Sequence, residues 1–197
     1  MTLAETHRTI LLDTAWGSIR HGLETGTTVK VDAERLAAPL SEPGASFVTL
    51  HKGGELRGCI GSLQAFRPLI RDVAENAFAA AFRDPRFAPL QAHELPDLTL
   101  DISVLSVPLP MTFNSEQDLL NQLRPHRDGL IVQDGQRRGT FLPSVWESLP
   151  EPDRFLQQLK LKAGLAPDYW SDSMQVWRYT TECFGGDSNH GAPANAG

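Results

Sequence analysis

The stretch with the most chemistry in it is Leu56-Arg57-Gly58-Cys59-Ile60-Gly61. Cys59 is its one strong nucleophile. A thiol beside a fixed positive charge is pushed toward thiolate, the form that attacks electrophilic carbon. Arg57, two residues away, supplies such a charge and a partner for an anionic group on a substrate. Gly58 and Gly61 leave room for another backbone, or a ligand, to come close. The competing reading is plain packing, because a cysteine outside a disulfide is among the most buried residue types. Cys183 sits near the C-terminus in a final strand, where packing is the simpler reading. No CxxC, HExxH, GxSxG, Walker or GxGxxG pattern occurs, so no metal and no cofactor is expected.

The element that must position Cys59 is a hairpin. SFVTLHK, then Gly53-Gly54, then ELRGCIG reads as two strands joined by a tight turn. With a two-residue turn, Lys52 opposes Glu55, Leu50 opposes Arg57 and Val48 opposes Cys59. Arg57 and Cys59 then share a face with Val48 and Leu50, while His51 lies on the other with Phe47, Thr49, Leu56 and Ile60. His51 is accordingly a poor base for the thiol. A bulge at the glycines would reverse this, because a one-residue slip moves every side chain to the opposite face.

Around the hairpin the periodicity predicts helices mixed with antiparallel strands. Leu12, Trp16, Ile19 and Leu23 form one helical stripe. Ile70, Val73, Ala77, Ala80 and Ala81 form another over Pro68 to Phe82, ended by Asp84-Pro85. Leu98, Leu100, Ile102 and Val104 alternate as a half-buried strand. Ser115 to Leu123 reads as a capped helix, GLIVQD and RRGTFL as a second hairpin turning at Asp134-Gly135, and Phe155 to Ala163 as a helix closed by Gly164. MQVWRYTTECF reads as one last strand. Helices and hairpins without a βαβ rhythm give an α+β fold.

The 197 residues carry 18 Lys and Arg against 24 Asp and Glu, a net charge of −6. That balance disfavours nucleic acid as a partner, since phosphate contacts need a cationic face. No apolar run approaches the length of a membrane span, and Asp13 ends the short run Ile10-Leu11-Leu12, so a membrane is not expected and a cytoplasmic location is. Two cysteines do not make a disulfide scaffold, which points to a reducing compartment. Residues 1–184 read as one domain, and 185–197, small, polar and glycine-rich, as a flexible tail.

The segment FVTLHKGGELRGCIGSL resembles the hallmark of the AMMECR domain family, whose bacterial and archaeal members are called AmmeMemoRadiSam system protein A. Asp84-Pro85-Arg86-Phe87, ISVLS (102–106), DGLIV (128–132), TFLPSVW (140–146), LKAGL (161–165) and WRYTTECF (177–184) follow in the family's order. The likeness covers Leu11 to Phe184. Two positions depart from it: His51 stands where lysine is frequent, and Asp128 where many members carry a histidine, with His126 a nearby substitute. The resemblance implies a larger and a smaller lobe with a cleft between them, and Cys59, Arg57, Gly58 and Gly61 in or near it. It also implies a pathway shared with a Memo-like, dioxygenase-related protein and a radical S-adenosylmethionine protein. It carries no reaction.

Asp84 and Arg86 have two readings, a grip on a polar substrate or a pairing across a tight turn. The expected function is therefore an enzyme using Cys59 with Arg57, aided by Gly58, Gly61, Asp84 and Arg86 in binding. The alternatives are a binding or adaptor module for those partner proteins, a small molecule or a peptide, and, more weakly, a regulator that binds nucleic acid.

Overall fold

The computed structural model describes residues 2–187. They form two compact units. The first holds the chain up to Leu105 and takes it back at Glu182; the second is Ser106–Thr181.

In the first unit the helical stripes are as the sequence predicts, except that Leu23 is only half-buried. Leu12, Trp16 and Ile19 of helix α1 (Glu5–Thr25) are buried. Gly26 ends α1 in the left-handed region, returning its N–H to the Gly22 carbonyl. Helix α2 (Leu69–Phe82) buries Ile70, Val73, Ala77, Ala80 and Ala81. Its alanines permit close approach, and Gly22 of α1 lies against the rings of Phe78 and Phe82. These helices pack against a sheet in the order β2-β1-β4-β9, with a short strand β3 (Arg67–Pro68) beside the start of β1. Strand β1 is Pro43–Lys52, β2 is Glu55–Gly61, β4 is Leu98–Leu105 and β9 is Thr181–Asp187. Val48, Leu50, Leu98, Leu100 and Ile102 face the helices.

A fully buried carboxylate ties these parts together. Asp72 on α2 accepts from Ser46 N–H (2.8 Å) and Oγ (2.6 Å), Asn76 Nδ2 (2.9 Å), Ser62 Oγ (2.9 Å) and Arg67 Nε (2.9 Å). A buried charge is tolerated when its lone pairs are filled in this way. The network pins β1 and the segment leaving β2 to the same helix.

The second unit has a sheet in the order β5-β8-β6-β7, from Leu109–Pro110, Gln175–Tyr179, Gly129–Asp134 and Arg137–Phe141. Helix α3 (Glu116–Gln122) starts at Ser115, whose side chain accepts from Asp118 N–H. Helix α4 (Pro152–Lys162) lays Phe155, Leu156 and Leu159 on the core, with Phe155 stacked on Trp146 at 3.7 Å between ring centres.

Four expectations needed correction. The last strand is two, β8 and β9, which belong to different sheets. Apolar and β-branched content marks strand propensity but carries no sign of which sheet a residue joins. The second hairpin turns at Gly135-Gln136, since Asp134 pairs with Arg137. Helix α4 begins at Pro152, earlier than Phe155, because proline is well tolerated at a first turn. Of the expected tail, Gly185 to Asp187 continue β9 and 188–197 lie outside the described residues.

Candidate functional site

The hairpin forms with Gly53 and Gly54 in the left-handed region, as its turn requires, but its register is not the predicted one. Lys52 pairs with Glu55 and His51 with Leu56; then Leu50 pairs with Gly58, Thr49 with Cys59 and Val48 with Ile60. Arg57 is the extra residue of a β-bulge. The slip moves Cys59 away from the face of Val48 and Leu50. It lies instead with Phe47, Thr49 and His51 on the sheet face turned from the helices, and Ile60 takes the inward position. The expectation that Arg57 shares the face of Cys59 and His51 does not is thereby overturned.

Edge geometry fixes the backbone at Cys59. Its N–H donates to Asp84 Oδ2 (2.9 Å) and its carbonyl accepts from Arg86 Nη2 (3.3 Å). Both groups therefore point off the sheet, so Thr49 and Cys59 form a pair without mutual backbone bonds, the type with the closest side chains. The Thr49 hydroxyl donates to Cys59 Sγ at 3.2 Å. Cys59 itself is half-buried.

Asp84 and Arg86 act as one clamp. Asp84 Oδ1 accepts from Arg86 N–H (3.1 Å) and Nε (3.0 Å), and Oδ2 from Arg86 Nη2 (2.7 Å). The Asp84 side chain is buried, while that of Arg86 is 53% exposed. The Arg86 hydrogen bonds, opposed by burial and helped by the Cys59 amide, hold the Asp84 carboxyl far below the usual carboxylate range. Arg86 is in turn raised, chiefly by Asp84 and secondarily by the nearby Cys59. The clamp also covers the exposed edge of β2, a place where unpaired strand groups invite another chain.

Arg57 is committed elsewhere. Nε and Nη2 grip Glu94 Oε1 and Oε2, each at 3.0 Å, and Nη2 reaches the Ala88 carbonyl. Lys52 Nζ (3.1 Å) and Gln91 N–H (3.0 Å) complete the shell of Glu94. These contacts, Arg57 first, lower the Glu94 carboxyl to about 2 against the pull of burial. Arg57 Nη1 is buried and has no partner among the described residues. Being closed to solvent, it is a cost to the fold rather than an open subsite.

The two glycines serve packing. A Cβ at Gly58 would collide with the Ala80 carbonyl on α2, and one at Gly61 with the Phe47 ring. Both close approaches are internal, to a backbone at Gly58 and a side chain at Gly61. Cys183 Sγ lies 3.1 Å from Ser103 Oγ on the same outer face as Cys59. Two strands separate the cysteines, about 14 Å across three strand spacings, beyond disulfide reach. Among the described residues no three His, Cys, Asp or Glu side chains are grouped to hold a metal, and no helix is long and apolar enough to cross a membrane. Asp128 is buried in the second unit and bound by Arg124 Nε (2.9 Å) and Nη2 (2.6 Å), while His126 is exposed.

Sequence reasoning missed Glu94, Thr49 and Asp101. Glu94 carries a usable signal: it stands three residues after Gln91, and the two form a reciprocal capping box. Thr49 and Asp101 become visible only through the register, where both β2 and β4 pair with β1.

The model of the AMMECR1 family matches residues 12–184. A protein of Methanothermobacter thermautotrophicus is 40% identical over 144 residues, covering 70% of this chain and 73% of that one. A protein of Thermotoga maritima is 42% identical over 139 residues, covering 70% and 75%. The crystal structure of an uncharacterized protein from Pyrococcus horikoshii superimposes with a TM-score of 0.79 at 30% identity, covering 93% of each chain. The family model, the relatives and the shared fold agree: the chain belongs to the AMMECR1 family.

Proposed function

We propose that the chain is an enzyme in which Cys59 attacks an electrophilic carbon on an anionic substrate, in a pathway shared with a Memo-like protein and a radical S-adenosylmethionine protein. In the step, an Sγ–C bond forms as the bond to the leaving group breaks. The leaving group departs with the electron pair, and the thiol proton ends on it. The supporting observation is the half-open Arg86 guanidinium anchored on the Cys59 carbonyl, with the Cys59 thiol on the outer face of the sheet. Each arginine is paired with a carboxylate, and the anion-holding role expected of Arg57 suits Arg86 better because its side chain is 53% exposed against 14% for Arg57.

Cells lacking the protein, complemented with wild type, Cys59→Ala or Arg57→Met, test this by metabolite comparison. The Cys59→Ala cells are expected to accumulate the same compound as the deletion, while Arg57→Met retains function where it folds. Full complementation by Cys59→Ala would defeat the enzyme reading.

One observation favours a binding or adaptor module instead. Leu56, Leu63 and Phe66, in and just after β2, are 42%, 38% and 67% exposed. Exposed apolar groups close together in sequence suit a protein partner. Co-purification with the two partner proteins, lost on Phe66→Ser and kept in Cys59→Ala, would select that reading.

A further inference from the structure

Thr49 pairs across the sheet with Cys59 on one side and with Asp101 on the other. His51, two residues along β1, shares the face of both; it is the regular diagonal neighbour of Asp101, and on the β2 side the Arg57 bulge lies between its partner Leu56 and Cys59. Diagonal Cβ atoms lie roughly 7 Å apart, within reach of a long or aromatic side chain. His51 Nδ1 is 3.3 Å from Asp101 Oδ2. A carboxylate at Nδ1 keeps the proton there and leaves the lone pair on Nε2. The imidazole is 32% and Asp101 50% exposed, so neither is locked in the core. The Thr49 hydroxyl donates to Sγ, which leaves the thiol proton available for transfer.

We propose that His51 is the base that takes the Cys59 proton at Nε2, with Asp101 as the positioning residue for the ring. The thiol S–H bond breaks, its electron pair stays on sulfur, and the proton binds Nε2. The resulting imidazolium then returns the proton to the leaving group. This role rests on Cys59 being the nucleophile already proposed. The titratable and charged groups around this face are Asp101 and Cys59, Cys183 on β9, and Asp84 and Arg86 beyond the β2 edge. Lys52 and Arg57 are drawn instead to Glu94.

The test is the rate of Cys59 alkylation by iodoacetamide, read by peptide mass spectrometry on the full chain from pH 5.5 to 9. Wild type, His51→Gln and Asp101→Asn are compared, with a denatured wild-type control. His51→Gln is expected to lose at least fivefold at pH 6.5 and less than twofold at pH 9. Asp101→Asn is expected to lose less, in the same pH range. Superimposed profiles, or an equal loss at every pH, would overturn the role of His51 alone. Wild-type labelling no faster than the denatured control at any pH would overturn the nucleophile and the base together. If His51→Gln does not fold, Asp101→Asn decides between these outcomes.

Discussion

Replacing Glu94 by Gln removes the charge that Arg57 and Lys52 share while keeping the side chain's size. A carboxyl that titrates at about 2 in the folded chain, against an ordinary 4.5, contributes about 3 kcal/mol to stability at neutral pH. Because the folded value is depressed, that contribution is complete above 4.5 and is lost as pH falls through 2. The loss of a partner for a buried charge points to a similar size, about 3–5 kcal/mol. With a urea slope of about 2 kcal/mol/M, Glu94→Gln should lower the unfolding midpoint by about 1.5 to 2.5 M at pH 7. Urea unfolding read at the amides of β1 by hydrogen exchange reports on the first unit. The gap between wild type and variant should persist near pH 4.5 and fall to about half at pH 3. A gap below about 0.5 kcal/mol at pH 7, the size of an ordinary surface change, would refute this account of the Arg57–Glu94 pair. So would a gap that does not shrink in acid.

Other outcomes follow from the same geometry. Gly58→Ala should destabilise by about 1–3 kcal/mol in chemical denaturation, because the added methyl meets the Ala80 backbone rather than a side chain that can swing away. Asp84→Ala strips the acceptor from the Cys59 amide, so exchange of that amide should speed up while the amides of β4 keep their protection. Tyr179, pushed up to about 12 by burial and only partly offset by Thr140, should ionise well above the ordinary phenol value of 10.0 in an ultraviolet titration. Since its folded value is raised above 10.0, its contribution is present below pH 10.0 and fades toward 12; Tyr179→Phe should remove that alkaline fade.

Most of the scaffold was legible as periodicity. The stripes of α1 and α2 and the alternation in β4 reflect burial, which acts on every residue of an element at once. The hairpin's existence was legible from Gly53-Gly54, yet the faces of its strands were not. One bulged residue at Arg57 reversed the parity of Cys59; Gly58 marks a place where a bulge can form, but nothing local says that one does. The cause lies outside the hairpin: Glu94 and Ala88 draw the Arg57 side chain, and Ala80 on α2 admits only a glycine at the next position. The Asp84–Arg86 pair was legible as a turn, but its grip on the Cys59 peptide depends on a contact 25 residues back along the chain. The split of the final strand between two sheets is likewise a tertiary choice.

The central claim is that Cys59 reacts beside an anion-holding Arg86. Its direct measure is the ratio of Cys59 alkylation rates by anionic iodoacetate and neutral iodoacetamide, at low salt, in wild type, Arg86→Met, Arg86→Lys and Arg57→Met. A half-exposed guanidinium contributes about 0.5–1 kcal/mol to an adjacent anion, which is roughly a two- to fivefold preference. The ratio should fall by that factor in Arg86→Met, stay near wild type in Arg86→Lys and Arg57→Met, and shrink as salt is added. A ratio unchanged by Arg86→Met, or one that falls only in Arg57→Met, would contradict the claim.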